Sequence, residues 1–259
     1  MLISRGLAIQ FDVIYALILR ESRTRFGKHL LGYLWALIEP SIWISLFVVL
    51  FYFSKRAIPF GMDIITFIAT GVVPFFLFRN CVRYGIRAIL SNQSLLYFSQ
   101  IHVIDFIIAR VFLESAGMIL FFWIIIGVHE LYFGVFTPNS LLTLLGGLYL
   151  SVAFGAGATV ALCFANVFFP AIERTINRFI RVLFFASGTF FAVNELPRQL
   201  QEILLWNPLL HIITIVRTGW NPAFDNPEVT AFYPLGWAFG LLVLGLGLMP
   251  LANRRRYRP

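Results

Sequence analysis

A basic cluster that runs directly into a long apolar stretch is the feature that most constrains this chain. Residues 20–28 carry four Lys and Arg side chains, and residues 30–53 are almost wholly apolar. Basic residues beside an apolar run mark the cytosolic end of a membrane span. The cluster therefore predicts that the first span begins on the cytosolic side, and it sets the direction of every later span.

The composition indicates a polytopic membrane protein. Of the 259 residues, 59% are hydrophobic and only 12% are charged, with a mean hydropathy of +0.84. Soluble domains carry about 25% charged residues. No soluble domain of useful size is left between the apolar runs. The net charge of +8 is explained by the bias of basic residues toward the cytosol, so we expect no nucleic-acid partner.

The apolar runs predict an all-α polytopic fold with six transmembrane helices joined by short links. These six spans cover residues 31–53, 64–90, 103–128, 141–169, 179–194 and 232–250. The fourth span has small residues four apart, a spacing that lets helix backbones pack closely. This predicted packing face consists of Gly147, Ser151, Gly155, Thr159 and Cys163.

Two further segments complete the predicted architecture. Residues 4–20 have apolar side chains at helical spacing and predict an amphipathic helix on the cytosolic surface. Its apolar face consists of Leu7, Phe11, Ile14, Tyr15 and Ile18. Residues 195–231 are interrupted by four prolines and predict two half-helices that dip in from the outer face, which requires burial in protein or contact with water. A surface loop with an amphipathic helix is the alternative.

The distribution of basic residues tests this topology. If both termini and the links 91–102 and 170–178 face the cytosol, 16 of the 20 Lys and Arg residues lie on the cytosolic side. That asymmetry supports six spans with both termini inside. We treat 1–259 as a single transmembrane domain. It divides into the surface helix over 1–30, spans 1–5 over 31–194, the re-entrant segment over 195–231, and the last span with a basic C-terminus over 232–259.

The sequence lacks the usual motifs of catalytic or metal-binding chains. No Gly-x-x-x-x-Gly-Lys-Ser/Thr motif occurs, so no P-loop for ATP is predicted. The histidines at 29, 102, 129 and 211 lack metal-ligand spacing, and Cys81 and Cys163 lie within apolar runs. His102 and Asp105, three residues apart, are a weak indication of a membrane acyltransferase, because no second polar cluster accompanies them.

Charged side chains inside the spans need partners or water. Arg79 lies roughly 22 Å into the second span, within a hydrocarbon layer of about 30 Å. It either pairs with Glu39 or Glu114 as a structural clamp, or faces a water-filled half-pore and attracts an anionic substrate. Arg83 lies near the inner boundary of the hydrocarbon layer. Glu39, beside the helix breaker Pro40, is either a wetted residue at the start of the helix or a residue on the pore side.

Several short motifs resemble those of one transporter family. The basic lead-in is followed by LGYLWALIEP at 31–40, and the second span contains TGVVPFF at 70–76. The outer segment contains NELP at 194–197, WNPL at 206–209 and IVR at 215–217. Together these motifs resemble type 2 ABC exporter permeases, and specifically the capsular polysaccharide and O-antigen export permeases. The resemblance covers essentially the whole chain.

The resemblance implies a transporter subunit and not an enzyme. A permease of this kind forms a homodimer and works with two copies of a separate P-loop ATPase. ATP and Mg are then bound by that partner, and this chain has no cofactor of its own. The implied function is export of a capsular polysaccharide or related glycolipid across the bacterial inner membrane, among membrane lipids and with periplasmic and outer-membrane partners.

The resemblance also implies roles for particular residues. Link 91–102 would be the coupling helix that docks on the ATPase, through Asn92, Ser94, Leu95 and Tyr97. Glu195 and Arg198 would face the outer mouth of the pore. Aromatic rings stack on sugar faces, so the substrate path would include Trp35, Trp43, Phe47, Phe51 and Tyr52, together with Arg79 and Arg83. The alternative is that the phenylalanines face lipid and that the Trp and Tyr residues lie at the membrane interfaces. A charge gate or clamp would consist of Arg20, Arg23, Arg25, Lys28, Glu39 and Glu114.

Two other functional classes remain open at this point. A permease of the same type could carry a drug, a lipid or another glycan. An ion-coupled secondary transporter is the alternative from a different class, but it requires broken helices in both halves of an inverted repeat. Only the second half of this chain contains such breaks.

Overall fold

The structure, a computed structural model, describes residues 2–26, 30–55, 57–98, 100–134 and 138–256. In these residues the only regular secondary structure is helical, as predicted. The α-helices are α1 (Leu2–Phe26), α2 (Leu30–Phe53), α3 (Ile64–Gly85), α4 (Val103–Phe133), α5 (Leu141–Phe168), α6 (Ala171–Ala186), α7 (Arg198–Leu204), α8 (Pro208–Trp220) and α9 (Phe232–Arg256).

Four of these helices are long and apolar enough to cross a membrane. They are the apolar stretches Ile64–Gly85, Val103–Tyr132, Leu141–Phe168 and Phe232–Ala252, which belong to α3, α4, α5 and α9. The described apolar part of α2, Leu37–Phe53, is shorter. The coarse prediction of an all-helical polytopic membrane protein is therefore confirmed.

Local sequence signals explain where the helices begin and end. Asp63 caps α3 by accepting hydrogen bonds from the backbone N–H groups of its first turn, and Ser140 caps α5 in the same way. Gly134 ends α4 with a left-handed φ of +66°, which glycine adopts without steric cost. Asn207 caps α8, and Pro208 occupies its first position, where a missing N–H is tolerated.

Helix α5 is central to the bundle, because α3, α8 and α9 all pack against it. Every member of the predicted small-residue face is buried. A Cβ on Gly147 would lie 2.5 Å from the side chain of Val216 in α8, and one on Gly155 would lie 3.1 Å from the Cys81 side chain in α3. The prediction of a packing face is confirmed, since these small residues let α3 and α8 approach α5.

The structure corrects the position of the fifth predicted span. Residues 179–194 were expected to be helical, whereas α6 runs from Ala171 to Ala186 and the chain then turns at Gly188, which has a φ of +76°. Charged residues near 174 suggested a link. They are instead compatible with a helix because they lie on one side of it, while Ile180 and Phe184 on another side are buried.

Connecting segments define two ends of the bundle. We call the end with residues 86–98, 100–102 and 169–171 the basic end, because Arg83, Arg87 and Arg174 lie nearest to it. The loop residues 57–63, 138–140 and 221–231 lie at the outer end. Backbone hydrogen bonds join one of these loops to α8, since the N–H groups of Asn139 and Ser140 donate to the carbonyls of Trp220 and Gly219 at the end of that helix.

Candidate substrate path and coupling surfaces

Arg79 in α3 forms an ion pair with Glu39 in α2. Its Nη2 atom lies 2.9 Å from Glu39 Oε1, and Arg83 Nη1 lies 3.7 Å from the same oxygen. The Arg79 guanidinium also donates to Asn80 and stacks 3.5 Å from the centroid of the Phe76 ring. Of the two acids considered from sequence, the geometry selects Glu39; Glu114 is buried on α4. The pair joins α2 to α3 near the basic end.

An aromatic stack lies one helical turn further from the basic end. Trp43 contacts Phe47, Phe76 and Phe184, so rings from α2, α3 and α6 meet at this level. Phe47 also packs against Phe190, at a centroid distance of 4.1 Å. The stack therefore connects the region of the Arg79–Glu39 pair to Phe190, in the segment between α6 and α7.

Two aromatic residues expected on the substrate path lie in the protein core. Phe47 and Phe51 are only 8% and 5% exposed, because their rings pack against other phenylalanines. They are therefore not available to stack on a sugar in this conformation, a correction to their expected position. Trp43 and Tyr52 remain exposed. The side chain of Trp35 lies outside the described residues.

Helix α6 carries three exposed arginines on one face. Arg174, Arg178 and Arg181 fall within an arc of about 60°, since successive residues are rotated by 100°. They rise roughly 10 Å along the helix, and none pairs with another residue in the described part of the chain. The buried residues Ile180 and Phe184 lie on a different side of α6. We call these three residues the arginine face.

The N-terminal helix is tied to the predicted coupling link by a polar network around the buried side chains of Glu21 and Asn92. Arg20 donates to Asn92 Oδ1 at 2.8 Å, and Asn92 donates to Glu21 Oε1 at 3.2 Å. Glu21 also pairs with Arg110 in α4 at 3.0 Å. In this network α1, link 91–102 and α4 are therefore held together by charge-assisted hydrogen bonds.

The packing of α1 departs from the predicted apolar face. Leu17 is buried, whereas Phe11 and Tyr15 are largely exposed. Gln10, expected to lie off that face, donates to Asp105 in α4. Thus α1 presents one partly polar side to the bundle and leaves Phe11 and Tyr15 exposed. Arg23 is exposed, and the side chains of Arg25 and Lys28 lie outside the described residues.

Link 91–102 offers an exposed surface around a buried anchor. Its first part is a 3₁₀ segment, Leu90–Tyr97. Asn92 is 2% exposed and donates a hydrogen bond to the Ala88 carbonyl. It therefore positions the link and is not accessible to a partner protein. Ser94 is exposed, Leu95 is half-buried, and Tyr97 is 92% exposed.

Nearby, hydrogen bonding to Glu173 raises the pKa of Arg87 and ties the end of α3 to α6.

Arg217 is a site residue that the sequence reasoning missed. It is 2% exposed, and its guanidinium donates to the carbonyls of Gly188, Thr189 and Phe191 at 2.6–2.8 Å. It also contacts the Phe67 ring of α3, at 3.9 Å. The backbone between α6 and α7 is irregular, and Arg217 satisfies carbonyls that no helix pairs. The available signal was an arginine within the apolar run of α8.

Glycine at position 71 makes this arrangement possible. A Cβ there would lie 2.6 Å from the Thr189 carbonyl oxygen and 2.8 Å from Arg217 Nη2. Helix α3 therefore approaches the irregular backbone and its arginine as closely as a backbone can. Close packing therefore explains why the motif at 70–76 contains a glycine at position 71.

The outer segment contains the two short helices that the prolines predicted, α7 and α8. Glu195 is exposed beside the turn that precedes α7. Arg198 is also exposed, and it pairs only loosely with Glu202, at 3.4 Å. Both predicted mouth residues are therefore exposed in the structure.

Comparison with known proteins identifies relatives over nearly the whole chain. The family model described as ABC-2 type transporter matches residues 12–221. The chain is 30% identical over 244 residues to the polysialic acid transport protein KpsM of Escherichia coli, covering 94% of each chain. It is 33% identical over 252 residues to the capsule polysaccharide export inner-membrane protein BexB of Haemophilus influenzae, covering 96% of this chain and 93% of BexB.

A third relative has a similar description. The capsule polysaccharide export inner-membrane protein CtrC of Neisseria meningitidis is 31% identical over 254 residues, covering 94% of this chain and 92% of CtrC. Each match covers most of this chain and most of the relative, so the similarity extends over the apolar helices and the outer segment together.

Proposed function

Because the chain belongs to the ABC-2 type transporter family, we propose that it is the membrane subunit of an ABC exporter for a capsular polysaccharide or related glycan. Its relatives in three bacterial species are named for transport of polysialic acid or export of capsule polysaccharide. Two of those names also specify the inner membrane, which is where we place this chain.

The energy for export comes from a separate subunit. The sequence has no P-loop motif, so ATP and Mg bind to a partner ATPase, present in two copies beside two copies of this permease. Periplasmic and outer-membrane partners receive the glycan. This assembly is supported by the family and by the exposed link 91–102, which provides a docking surface.

The proposed topology has six spans with both termini in the cytosol. In this arrangement α2 and α6 are spans 1 and 5, α1 lies on the inner surface, and the segment with α7 and α8 re-enters from the outer face. The basic residues near residues 86–102 and 169–181 support this orientation. The whole chain acts as a single permease domain.

The arginine face of α6 is the observation that carries the substrate proposal. If α6 crosses the bilayer, Arg178 lies near its middle, where a lipid-facing arginine costs at least about 2 kcal/mol. Three of them on one exposed face therefore require water, which a cavity between two copies of the chain provides. Such a cavity attracts an anionic polymer. Polysialic acid, the substrate named for one relative, is a polycarboxylate and matches this chemistry.

Replacing Arg178 by glutamate is expected to abolish export of an acidic glycan while leaving the permease folded. The side chain is exposed, so the change removes little packing, but it introduces a repulsive charge in the middle of the arginine face. Surface glycan is measured in cells whose own exporter has been deleted. Lys55→Glu, an equal change of charge at the outer end, is the control and retains export. Normal export by Arg178→Glu contradicts the role of this face.

Replacing Tyr97 by aspartate is expected to uncouple ATP hydrolysis from transport. Tyr97 is 92% exposed on the coupling link, and exposed aromatics of this kind often dominate protein interfaces. The measurement compares copurification of the ATPase and glycan-stimulated ATP hydrolysis, both of which fall about tenfold or more if Tyr97 is a principal contact. Tyr132→Asp, at an exposed tyrosine near the outer end, leaves both unchanged. Equal loss in the two variants would point to general misfolding.

Copurification followed by glycan analysis tests the function as a whole. The purified permease is expected to bring with it a P-loop ATPase and to carry bound polysaccharide or glycolipid that native mass spectrometry detects. A copurified ATPase with a bound drug or lipid and no glycan would favour another ABC-2 substrate. If no ATPase associates under any nucleotide condition, the proposed mechanism is wrong.

A further inference from the structure

A polar cavity lies at the outer end of the bundle, outside the proposed path. Its volume is about 720 Å³, within the range of small-ligand sites. The start of α3, the last turns of α4, the loop before α5 and the end of α8 surround it. The residues that give the cavity its chemistry are Asp63, His129, Asn139, Trp220 and Asn221.

Asp63 presents a partly used carboxylate to this cavity. Its Oδ2 atom accepts hydrogen bonds from the N–H groups of Ile65 and Thr66, at 2.9 and 3.2 Å, and lies 2.9 Å from His129 Nε2. The other oxygen, Oδ1, has no partner among the described residues, and the Asp63 side chain is 46% exposed. The capping bonds hold the carboxylate in place while one oxygen stays available to an incoming donor.

Asn139 supplies an amide whose backbone is fixed. Its N–H group donates to the carbonyl of Trp220 at 3.1 Å, which ties the loop before α5 to the end of α8. Its side chain is exposed and forms no hydrogen bond within the described part of the chain. An amide both donates and accepts hydrogen bonds, so it can bind a hydroxyl group either as the donor or as the acceptor.

Carboxylate, amide and indole groups together form a binding set for a sugar. The carboxylate and amide bind hydroxyls, and the indole of Trp220, which also lines the cavity, adds apolar surface. No lysine or arginine lines the cavity, and His129 lies against Asp63. A neutral unit therefore fits this site better than a uronic or sialic acid, which the Asp63 charge repels. This is the opposite preference from that of the arginine face.

We propose that this cavity binds a neutral hexose unit of the glycan at the outer face of the permease, an inference that rests on the proposed export function. A unit bound here holds the emerging chain after it leaves the bilayer and hinders its return. The site has the opposite charge to the arginine face, so the two sites act on different parts of a heteropolymer.

The test measures sugar binding by the purified permease without its ATPase. Ligand-observed saturation-transfer NMR in nanodiscs uses cellobiose as the neutral probe and glucuronic acid as the acidic one. Wild type is expected to bind cellobiose saturably and glucuronic acid at least about tenfold more weakly, since one repelling charge changes affinity on this scale. Asn139→Ala and Trp220→Leu should each weaken cellobiose binding about tenfold.

Matched controls keep the result interpretable. Gln199→Ala removes an exposed amide from α7, and Trp237→Leu removes a half-exposed indole from α9; neither residue lines the cavity. Both controls should bind cellobiose like wild type. Asn139→Ala changes only an exposed side chain, so it remains informative even if Trp220→Leu fails to fold.

The outcomes separate this inference from the function on which it rests. Absence of saturable binding, equal affinity for both sugars, or unchanged binding in Asn139→Ala would overturn the cavity as a neutral-sugar site while leaving export intact. Conversely, a wild-type chain that binds cellobiose but never associates with an ATPase or exports glycan would refute the proposed function and leave the sugar site standing.

Discussion

Replacement of Arg217 by leucine is expected to eliminate most folded protein. The substitution removes every donor from the carbonyls of Gly188, Thr189 and Phe191 that the guanidinium now binds. A buried polar group left without its partner costs about 1–3 kcal/mol, and total stabilities are only about 5–15 kcal/mol. Loss of the donor to all three carbonyls is therefore enough to unfold the outer segment. The readout is the yield of monodisperse protein after detergent extraction, together with its thermal midpoint.

Arg198→Leu is the matched control for this result. It makes the same chemical change at an arginine that is 83% exposed, and its yield and thermal midpoint should stay near those of wild type. Arg217→Lys should lie between the two, because an ammonium donates to fewer of the carbonyls than a planar guanidinium does. If Arg217→Leu were extracted in wild-type yield with an unchanged thermal midpoint, the carbonyl contacts would not stabilise the outer segment.

Reversal of the charge on Arg79 is expected to produce the second large loss. In Arg79→Glu a carboxylate replaces the guanidinium that lies 2.9 Å from Glu39, in a position where the wild-type side chain is only 12% exposed. Breaking a buried ion pair costs about 3–5 kcal/mol, and the partial exposure of Glu39 places the expected cost toward the lower end. The double variant Arg79→Glu with Glu39→Arg should recover part of the folded protein.

Arg83→Glu serves as the graded comparison for the clamp. Arg83 lies further from Glu39, at 3.7 Å, and is 47% exposed, so its reversal should cost much less folded protein. If Arg79→Glu folds normally but cannot export, and the Glu39 swap does not rescue it, Arg79 acts on the substrate and not as a clamp. If it both folds and exports normally, neither role is correct.

The helical order and most helix limits were predictable from the sequence because strong local signals define them. Asp63, Ser140 and Pro208 stand at the starts of α3, α5 and α8, and each is a residue type that favours a helix start. The predicted limits of the fifth apolar segment were wrong because hydropathy averages over all sides of a helix. The charges of Arg174 and Arg178 lowered that average although they occupy one face only.

The candidate sites were less predictable, because they depend on which face each helix buries. Glu39 was one of two partners that depth allowed for Arg79, and only tertiary packing selects it. Phe47 resembled a sugar-stacking residue but is enclosed by other rings. Arg217 serves backbone carbonyls that become unpaired only when α6 ends at Ala186, so no pairwise pattern in the sequence indicates it.

The most direct measurement of the central claim is ATP-driven glycan movement in proteoliposomes. The permease is reconstituted with its copurified ATPase, and an acidic capsular polysaccharide is supplied on the side where ATP is hydrolysed. The account predicts ATP-dependent transfer to the opposite side, where the glycan becomes inaccessible to added glycosidase, and loss of this transfer in Arg178→Glu while ATP hydrolysis continues. Transfer driven by an ion gradient without the ATPase, or unaltered transfer by Arg178→Glu, would contradict it.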